Sequence, residues 1–122
     1  MIDDLPTDAL CYLCSPYGHP DPAVRERRFQ QAAEAAAYLM RRGLIVFSPI
    51  AHTHPIAQYG LPKGWSFWKQ YDEIFMDICL GGIVVLKLPG WESSVGVQAE
   101  IAYMRAKRRP VEYLDPEDIP AG

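Results

Sequence analysis

Short apolar runs alternate with longer amphipathic stretches along the chain, and this alternation predicts its secondary structure. The apolar runs 9–14, 44–47, 83–88 and 111–114 are closed by turn formers, which is typical of buried strands. The stretches between them repeat apolar residues every three or four positions, which indicates helices. Apolar strands that alternate with helices favour a three-layer flavodoxin-like or Rossmann-like α/β fold, with a mainly parallel sheet of four or five strands and an internal first strand.

Three helices are predicted, each with an apolar face. The first begins at Asp21-Pro22 and stops at Gly43, the second covers 65–79, and the third starts at Ser93 or Ser94. Their apolar faces are Phe29, Ala33, Ala36 and Met40, then Trp68, Tyr71, Phe75 and Ile78, then Val97, Ile101 and Met104. Prolines and glycines interrupt residues 48–64, which predicts an irregular loop long enough to be functional.

Composition indicates one domain, residues 1–122. The chain has 122 residues, of which 49% are hydrophobic and 22% are charged, as in ordinary globular domains. Its net charge of −3 offers no positive field to a nucleic-acid polymer. The apolar runs are too short to span a bilayer, and the acidic start does not fit a signal peptide. We therefore expect a cytoplasmic protein that binds neither nucleic-acid polymers nor membranes.

The three cysteines are best interpreted as buried free thiols. Cys11 and Cys14 lie within a predicted strand, whereas a redox Cys-x-x-Cys pair opens a helix. A redox protein that uses Cys11 and Cys14 is an alternative, and it requires a thiol with a depressed pKa.

The fold class places a candidate site in the loops 15–21, 48–64 and 89–94, because ligands bind beyond the carboxyl ends of parallel strands. The residues in and beside these loops that could contact a small molecule are Ser15, Pro16, Tyr17, His52, His54, Trp91, Ser94 and Gly96. Small residues at the start of the third helix indicate a cradle for phosphate or another anion, or only a plain N-cap. No metal is expected, because His52 and His54 are two residues apart and would point to opposite sides of an extended chain. His52 and His54 are expected to line the pocket or to contact its ligand, or to be ordinary loop histidines.

Glu100 lies about 60° from the centre of the apolar face of the third helix, at its margin. Neither Tyr103 nor Met104, three and four residues later, is a cation that would pair with a surface glutamate. The helical position alone nevertheless favours a solvent-exposed side chain, because exposed helical glutamates are common.

Three motifs carry a resemblance to a known superfamily. They are Tyr12-Leu-Cys-Ser-Pro-Tyr17, Ser94-Val-Gly-Val-Gln-Ala-Glu100 and Ala102-Tyr-Met-Arg-Ala-Lys-Arg-Arg-Pro110-Val. In this order, and over nearly the whole chain, the sequence resembles the nucleoside 2-deoxyribosyltransferase-like superfamily. That group includes the nucleoside 2-deoxyribosyltransferases and the 2′-deoxynucleoside 5′-phosphate N-hydrolases.

The resemblance implies roles for three residues. It implies that Glu100 is the nucleophile at the anomeric carbon of the sugar, that Tyr12 orients it, and that Ser94 contacts a 5′-phosphate. A core aromatic is the alternative for Tyr12, and a plain N-cap is the alternative for Ser94.

The superfamily also uses an aspartate shortly before the third strand, and here two candidates remain. An ungapped count back from Glu100 to the position of that aspartate ends between Asp72 and Asp77. Of these two residues, Asp77 is narrowly preferred. The acidic residue often found immediately before that strand is replaced by Leu80-Gly81-Gly82.

These roles predict cleavage or transfer at the N-glycosidic bond of a nucleoside or nucleoside 5′-monophosphate, through a covalent glycosyl-enzyme and with no cofactor. The missing acid motivates an alternative, a nucleotide-binding or sensing module without turnover. The aromatic second helix, with Trp65, Trp68, Tyr71 and Phe75, predicts a homo-oligomer, either a dimer or a tetramer.

Overall fold

Four strands form one parallel sheet, as predicted. The structure is a computed structural model that describes residues 1–62 and 64–120; position 63 of the predicted loop and positions 121 and 122 of the predicted domain lie outside them. The strands β1 (Leu10–Cys14), β2 (Ile45–Phe47), β3 (Gly82–Leu86) and β4 (Val111–Leu114) follow the order β2-β1-β3-β4, and every neighbouring pair is parallel. The first strand is therefore internal to the sheet.

Helices cover both faces of this sheet, which confirms the three-layer flavodoxin-like α/β fold. They are α1 (Pro22–Arg41), α2 (Pro49–Ala57), α3 (Trp65–Ile78) and α4 (Val95–Ala106), with short 3-10 turns at Ile2–Asp4 and Pro116–Asp118. Over residues 1–62 and 64–120, none of these helices combines the length and the apolar character needed to cross a membrane.

Strand β1 divides the core into two layers, because successive side chains of a strand point to opposite faces. Cys11 and Leu13 pack in the layer that contains the buried residues of α1. Tyr12 and Cys14 pack in the other layer, with the buried apolar residues of α3 and α4 such as Met104. Tyr12 and Cys14 thus share the face that meets α3 and α4.

Residues 48–64 do not form an irregular loop throughout, because the helix α2 occupies their first half. The Ser48 hydroxyl caps it by accepting from the Ala51 amide at 3.2 Å, and Pro49 stands at the first helical position, where its missing N–H costs nothing. Thr53 donates to the Pro49 carbonyl at 2.7 Å. The prolines that suggested a loop therefore include one that starts a helix.

The buried faces of α1 and α3 also differ from prediction. In α1 the face is displaced, so that Leu39 is buried and Met40 is exposed, because the alanine-rich sequence lets either face pack. In α3 the buried residues are Asp72 and Met76, whereas Ile78 is exposed. The carboxylate of Asp72 lies on the inner face of α3 and interrupts the apolar pattern from which the buried face was predicted.

Two glycines, Gly81 and Gly82, bring the start of β3 close to its neighbours. A Cβ at Gly81 would lie 2.8 Å from the Cys11 sulfur, and one at Gly82 would lie 2.5 Å from the Pro110 carbonyl oxygen. Gly82 also has a φ of 110°, in the left-handed region that favours glycine. The close approach of the strands therefore leaves no room for an acidic side chain at these positions.

Candidate active site

A cavity of about 450 Å³ lies beyond the carboxyl ends of the strands, a size typical of small-molecule sites. Its walls come from the segments that follow β1, β2 and β3 and from α3 and α4. The predicted residues that line it are Ser15, Pro16, Tyr17, Asp72, Ser94, Gly96 and Glu100.

Glu100 projects from α4 into the buried side of this cavity, with only 5% of its surface exposed. The Tyr12 hydroxyl donates a hydrogen bond to its Oε2, and the Cys14 thiol donates to its Oε1 at 3.2 Å. Both donors stand on the same face of β1, so the strand presents them to one carboxylate. The alternative of a solvent-exposed Glu100 is wrong.

Asp72, on the inner face of α3, supplies a second carboxyl group beside Glu100. Burial raises the pKa of Asp72 to about 6. Burial, and then the charge of Asp72, hold the pKa of Glu100 well above its ordinary value. Burial likewise raises the pKa of the Tyr12 hydroxyl and the Cys14 thiol, so both remain protonated donors near neutral pH.

Asp77 lies away from the cavity, which corrects the preference for it over Asp72. Its exposed carboxylate accepts from the Tyr103 hydroxyl at 2.6 Å and pairs with the Lys107 ammonium at 3.0 Å. These partners lower its pKa. Five helical positions separate the two aspartates by about 140°, so Asp77 is turned outward when Asp72 faces Glu100.

His52 and Trp91, both expected at the site, do not line the cavity. His52 is exposed, and its ring packs 5.8 Å from the Phe47 ring. Trp91 is half-buried, with its ring 5.7 Å from that of Tyr113. The helical course of α2 and the turn before α4 direct these side chains to the surrounding surface instead.

His54 is buried next to the cavity wall without lining the cavity. Its Nδ1 shares a hydrogen bond of 2.6 Å with the Tyr17 hydroxyl, and its Nε2 lies 3.0 Å from a carboxylate oxygen of Glu26. The ring also stacks on Phe29 with 4.4 Å between centroids. His54 therefore supports Tyr17, which does line the cavity.

Arg28, Trp65 and Trp68 line the cavity but were missed as site residues. Arg28 donates to the Gly18 carbonyl at 2.9 Å and to the Pro89 carbonyl at 3.3 Å, and so joins the loops after β1 and β3. Its place in a run of charged residues gave no signal of this role. The tryptophans gave an aromatic signal that was interpreted as an oligomer surface.

Two serines present oxygen atoms to the cavity. Ser94 caps α4 by accepting from the Val97 amide at 3.3 Å, so its predicted capping role is confirmed. The buried Ser15 hydroxyl has no hydrogen-bond partner among the described residues. A buried polar atom without a partner is costly.

The cysteines do not meet the requirement of a redox site. Cys11, Cys14 and Cys79 are free and buried, and burial raises the pKa of each thiol, to about 12 for Cys79. Cys11 and Cys14 also lie in different core layers. Within residues 1–62 and 64–120, no three His, Cys, Asp or Glu side chains gather as metal ligands.

Comparison with known proteins locates the chain in one family. None of the curated proteins compared matches it. The family model described as "Domain of unknown function (DUF1937)" matches residues 9–115, a span that includes β1, the cavity and Glu100. The chain therefore belongs to the DUF1937 family.

Proposed function

We propose that this protein cleaves the N-glycosidic bond of a nucleoside or nucleoside 5′-monophosphate, with Glu100 as the nucleophile. The observation that carries the proposal is the buried Glu100 carboxylate, which lines the cavity and is held at both oxygens by Tyr12 and Cys14. A fixed carboxylate is suited to bond to a sugar carbon that develops positive charge as its base departs.

Asp72 is the proposed proton donor to the departing base. Near neutral pH two adjoining buried carboxyls with raised pKa values retain a proton between them. With that proton on Asp72, Glu100 is the carboxylate that attacks the sugar carbon, and Asp72 has a proton to give to the base.

The start of α4 is suited to a 5′-phosphate. Ser94 lies six positions before Glu100, about 9 Å along the helix axis, which is of the order of the span from an anomeric carbon to a 5′-phosphate. The helix N-terminus favours an anion, and Arg28 brings a positive charge to the cavity wall. Ser15 lines the same cavity.

Trp65 and Trp68 give the cavity the aromatic surface that a nucleobase requires. The Trp68 ring is itself fixed, because its indole N–H donates to the Pro62 carbonyl at 2.8 Å. Since both rings line the cavity, the exposed apolar surface on α3 is reduced to residues such as Tyr71, Ile74 and Ile78. A homo-oligomer through that surface stays a prediction, and sedimentation at micromolar concentration would test it.

The test incubates the wild type with matched nucleosides and 5′-monophosphates of ribose and deoxyribose, and measures free base by chromatography. We expect release of base from at least one substrate, and added acceptor base separates transfer from hydrolysis. Glu100→Gln keeps the shape of the side chain, and it should lower turnover by several orders of magnitude. Glu92→Gln, an exposed glutamate in the turn before α4, is the matched control.

Intact mass after brief mixing with substrate should show a sugar adduct on the wild type and none on Glu100→Gln. Full activity of Glu100→Gln on any substrate that the wild type cleaves would exclude the proposed mechanism. Tight binding of a monophosphate without release of base would instead favour the nucleotide-binding or sensing module.

A further inference from the structure

The Cys14 thiol contacts the proposed nucleophile but takes no part in the proposed proton transfer. It is fully buried and donates to Oε1 of Glu100, while the hydroxyl of Tyr12 donates to Oε2. The two donors differ in strength, because a thiol is a weak hydrogen-bond donor and a hydroxyl bonded to a carboxylate is a strong one. The two oxygens of Glu100 are therefore not equivalent.

This difference matters when one oxygen bonds to the sugar. The bonding oxygen becomes an ester oxygen and loses most of its negative charge, so a strong hydrogen bond to it would oppose the step. The other oxygen becomes the ester carbonyl and keeps a good acceptor lone pair. A weak donor is thus best placed on the attacking oxygen, and a strong donor on its neighbour.

We propose that Cys14 is a positioning residue that fixes Oε1 of Glu100 as the attacking oxygen, while Tyr12 stays on Oε2. This inference rests on the proposed function. A lone pair of Oε1 forms the bond to the anomeric carbon, the electrons of the carbon–nitrogen bond leave with the base, and a proton from Asp72 neutralises that nitrogen. Water then bonds to the same carbon, returns a proton to Asp72, and releases Oε1.

Three variants test the role of the thiol. Cys14→Ala removes the donor, and Cys14→Ser replaces it with a stronger one. Cys11→Ser is the matched control, because Cys11 is equally buried on β1 but lies in the other core layer. Thermal unfolding of each variant verifies that it is folded before it is compared.

The first readout is the titration of the Glu100 carboxyl, followed by carbon-13 NMR and assigned with Glu100→Gln. Loss of a donor destabilises the carboxylate, so Cys14→Ala should raise the pKa of Glu100 and Cys14→Ser should lower it. Cys11→Ser should leave it unchanged. An unchanged titration in both Cys14 variants would show that the thiol does not hold Glu100, and would overturn the proposal.

The second readout is steady-state kinetics on a cleaved substrate. Both Cys14 variants should lower kcat by about three- to tenfold, the effect of one weak hydrogen bond, with little change in KM. Unchanged kcat, or an equal loss in Cys11→Ser, would overturn the positioning role. Absence of cleavage by the wild type would overturn the proposed function together with the positioning role of Cys14 in the reaction. The titration would still show whether the thiol holds the Glu100 carboxylate.

Discussion

Two clusters of polar side chains, each built around a buried residue, lie beside the cavity, and they differ in how their charges are arranged. One joins Glu100 to Asp72 and Tyr12, so that two acids and a hydroxyl share a small volume. The other joins His54 to Glu26 and Tyr17, so that an acid faces a base. Both clusters lie near the carboxyl end of β1, the first with Tyr12 from the strand itself and the second with Tyr17 from the loop that follows it.

The consequences of these arrangements are opposite. Burial raises the pKa of both acids in the Glu100 cluster. A negative charge on either acid is therefore destabilised, and the cluster readily gains or loses a proton. In the His54 cluster the hydrogen bond from His54 lowers the pKa of Glu26, so its charge is favoured. The comparison separates the cluster that we propose performs the chemistry from one that stabilises the fold.

The two tyrosines provide the sharpest test of this distinction. Tyr12→Phe removes the donor on Glu100 and should lower kcat on the order of 10²-fold, as loss of a preorganised donor does in other active sites. Tyr17→Phe removes the hydroxyl from His54 and should change KM more than kcat, because the ring still lines the cavity. Equal losses of kcat in the two variants would show that the two clusters do not differ in their contribution to turnover.

Asp72→Asn tests how much the buried charge of the Glu100 cluster lowers the free energy of unfolding. The folded pKa of about 6 exceeds the ordinary 3.8, so the contribution of Asp72 to stability is present below about pH 4 and is lost as the pH rises through 6. Asp72→Asn should flatten that decline and raise the free energy of unfolding at pH 7 by up to roughly 3 kcal/mol. Urea denaturation between pH 4 and pH 8 measures both changes.

Asp77→Asn is the control for that experiment, with the opposite sign. Because its pKa is lowered in the folded protein, Asp77 contributes stability at neutral pH that is lost as the pH falls. Its removal should lower the free energy of unfolding at pH 7. A loss of stability in Asp72→Asn as well would contradict the assignment of Asp72 as a destabilised acid.

His54→Gln tests the stabilising cluster. The substitution removes the stacking on Phe29 and at least one of two hydrogen bonds of a buried ring, which should cost about 1–3 kcal/mol of stability. The kcat should stay within the range of the wild type, provided the assay is run below the unfolding temperature. Glu26→Gln should give a smaller loss of stability, because its side chain is exposed. A large fall in kcat with unchanged stability would assign chemistry to His54.

The smallest expected effect belongs to Ser94. Ser94→Ala should cost about 1 kcal/mol through loss of the cap, and should reduce the preference for a 5′-monophosphate over its nucleoside. Ser93→Ala is the matched control, because the exposed Ser93 hydroxyl bonds only within its own turn, to the Gly90 carbonyl at 3.3 Å. Equal substrate preference in both variants would remove Ser94 from phosphate recognition.

Local patterns predicted the strands and their parallel arrangement because buried strands and capped helices have short-range signals. The contacts of Glu100 had no such signal, since β1 and α4 are far apart in sequence and meet only in the fold. Asp72 was ranked below Asp77 for the same reason, because its packing against Glu100 depends on the rotation of α3. The histidines were misplaced because Pro49 was interpreted as a breaker, although it begins α2.

The placement of Tyr12 and Cys14 two residues apart ties the site to the register of β1. Tyr12 pairs with Ile83 and Cys14 with Val85 across the sheet. A shift of one residue would turn both donors toward α1 and present Leu13 to Glu100 instead. Such a misfolded chain could keep its helices and a compact shape, yet its carboxylate would have no donors. Recovery of the proposed activity after denaturation would therefore be a stricter measure of correct refolding than recovery of secondary structure.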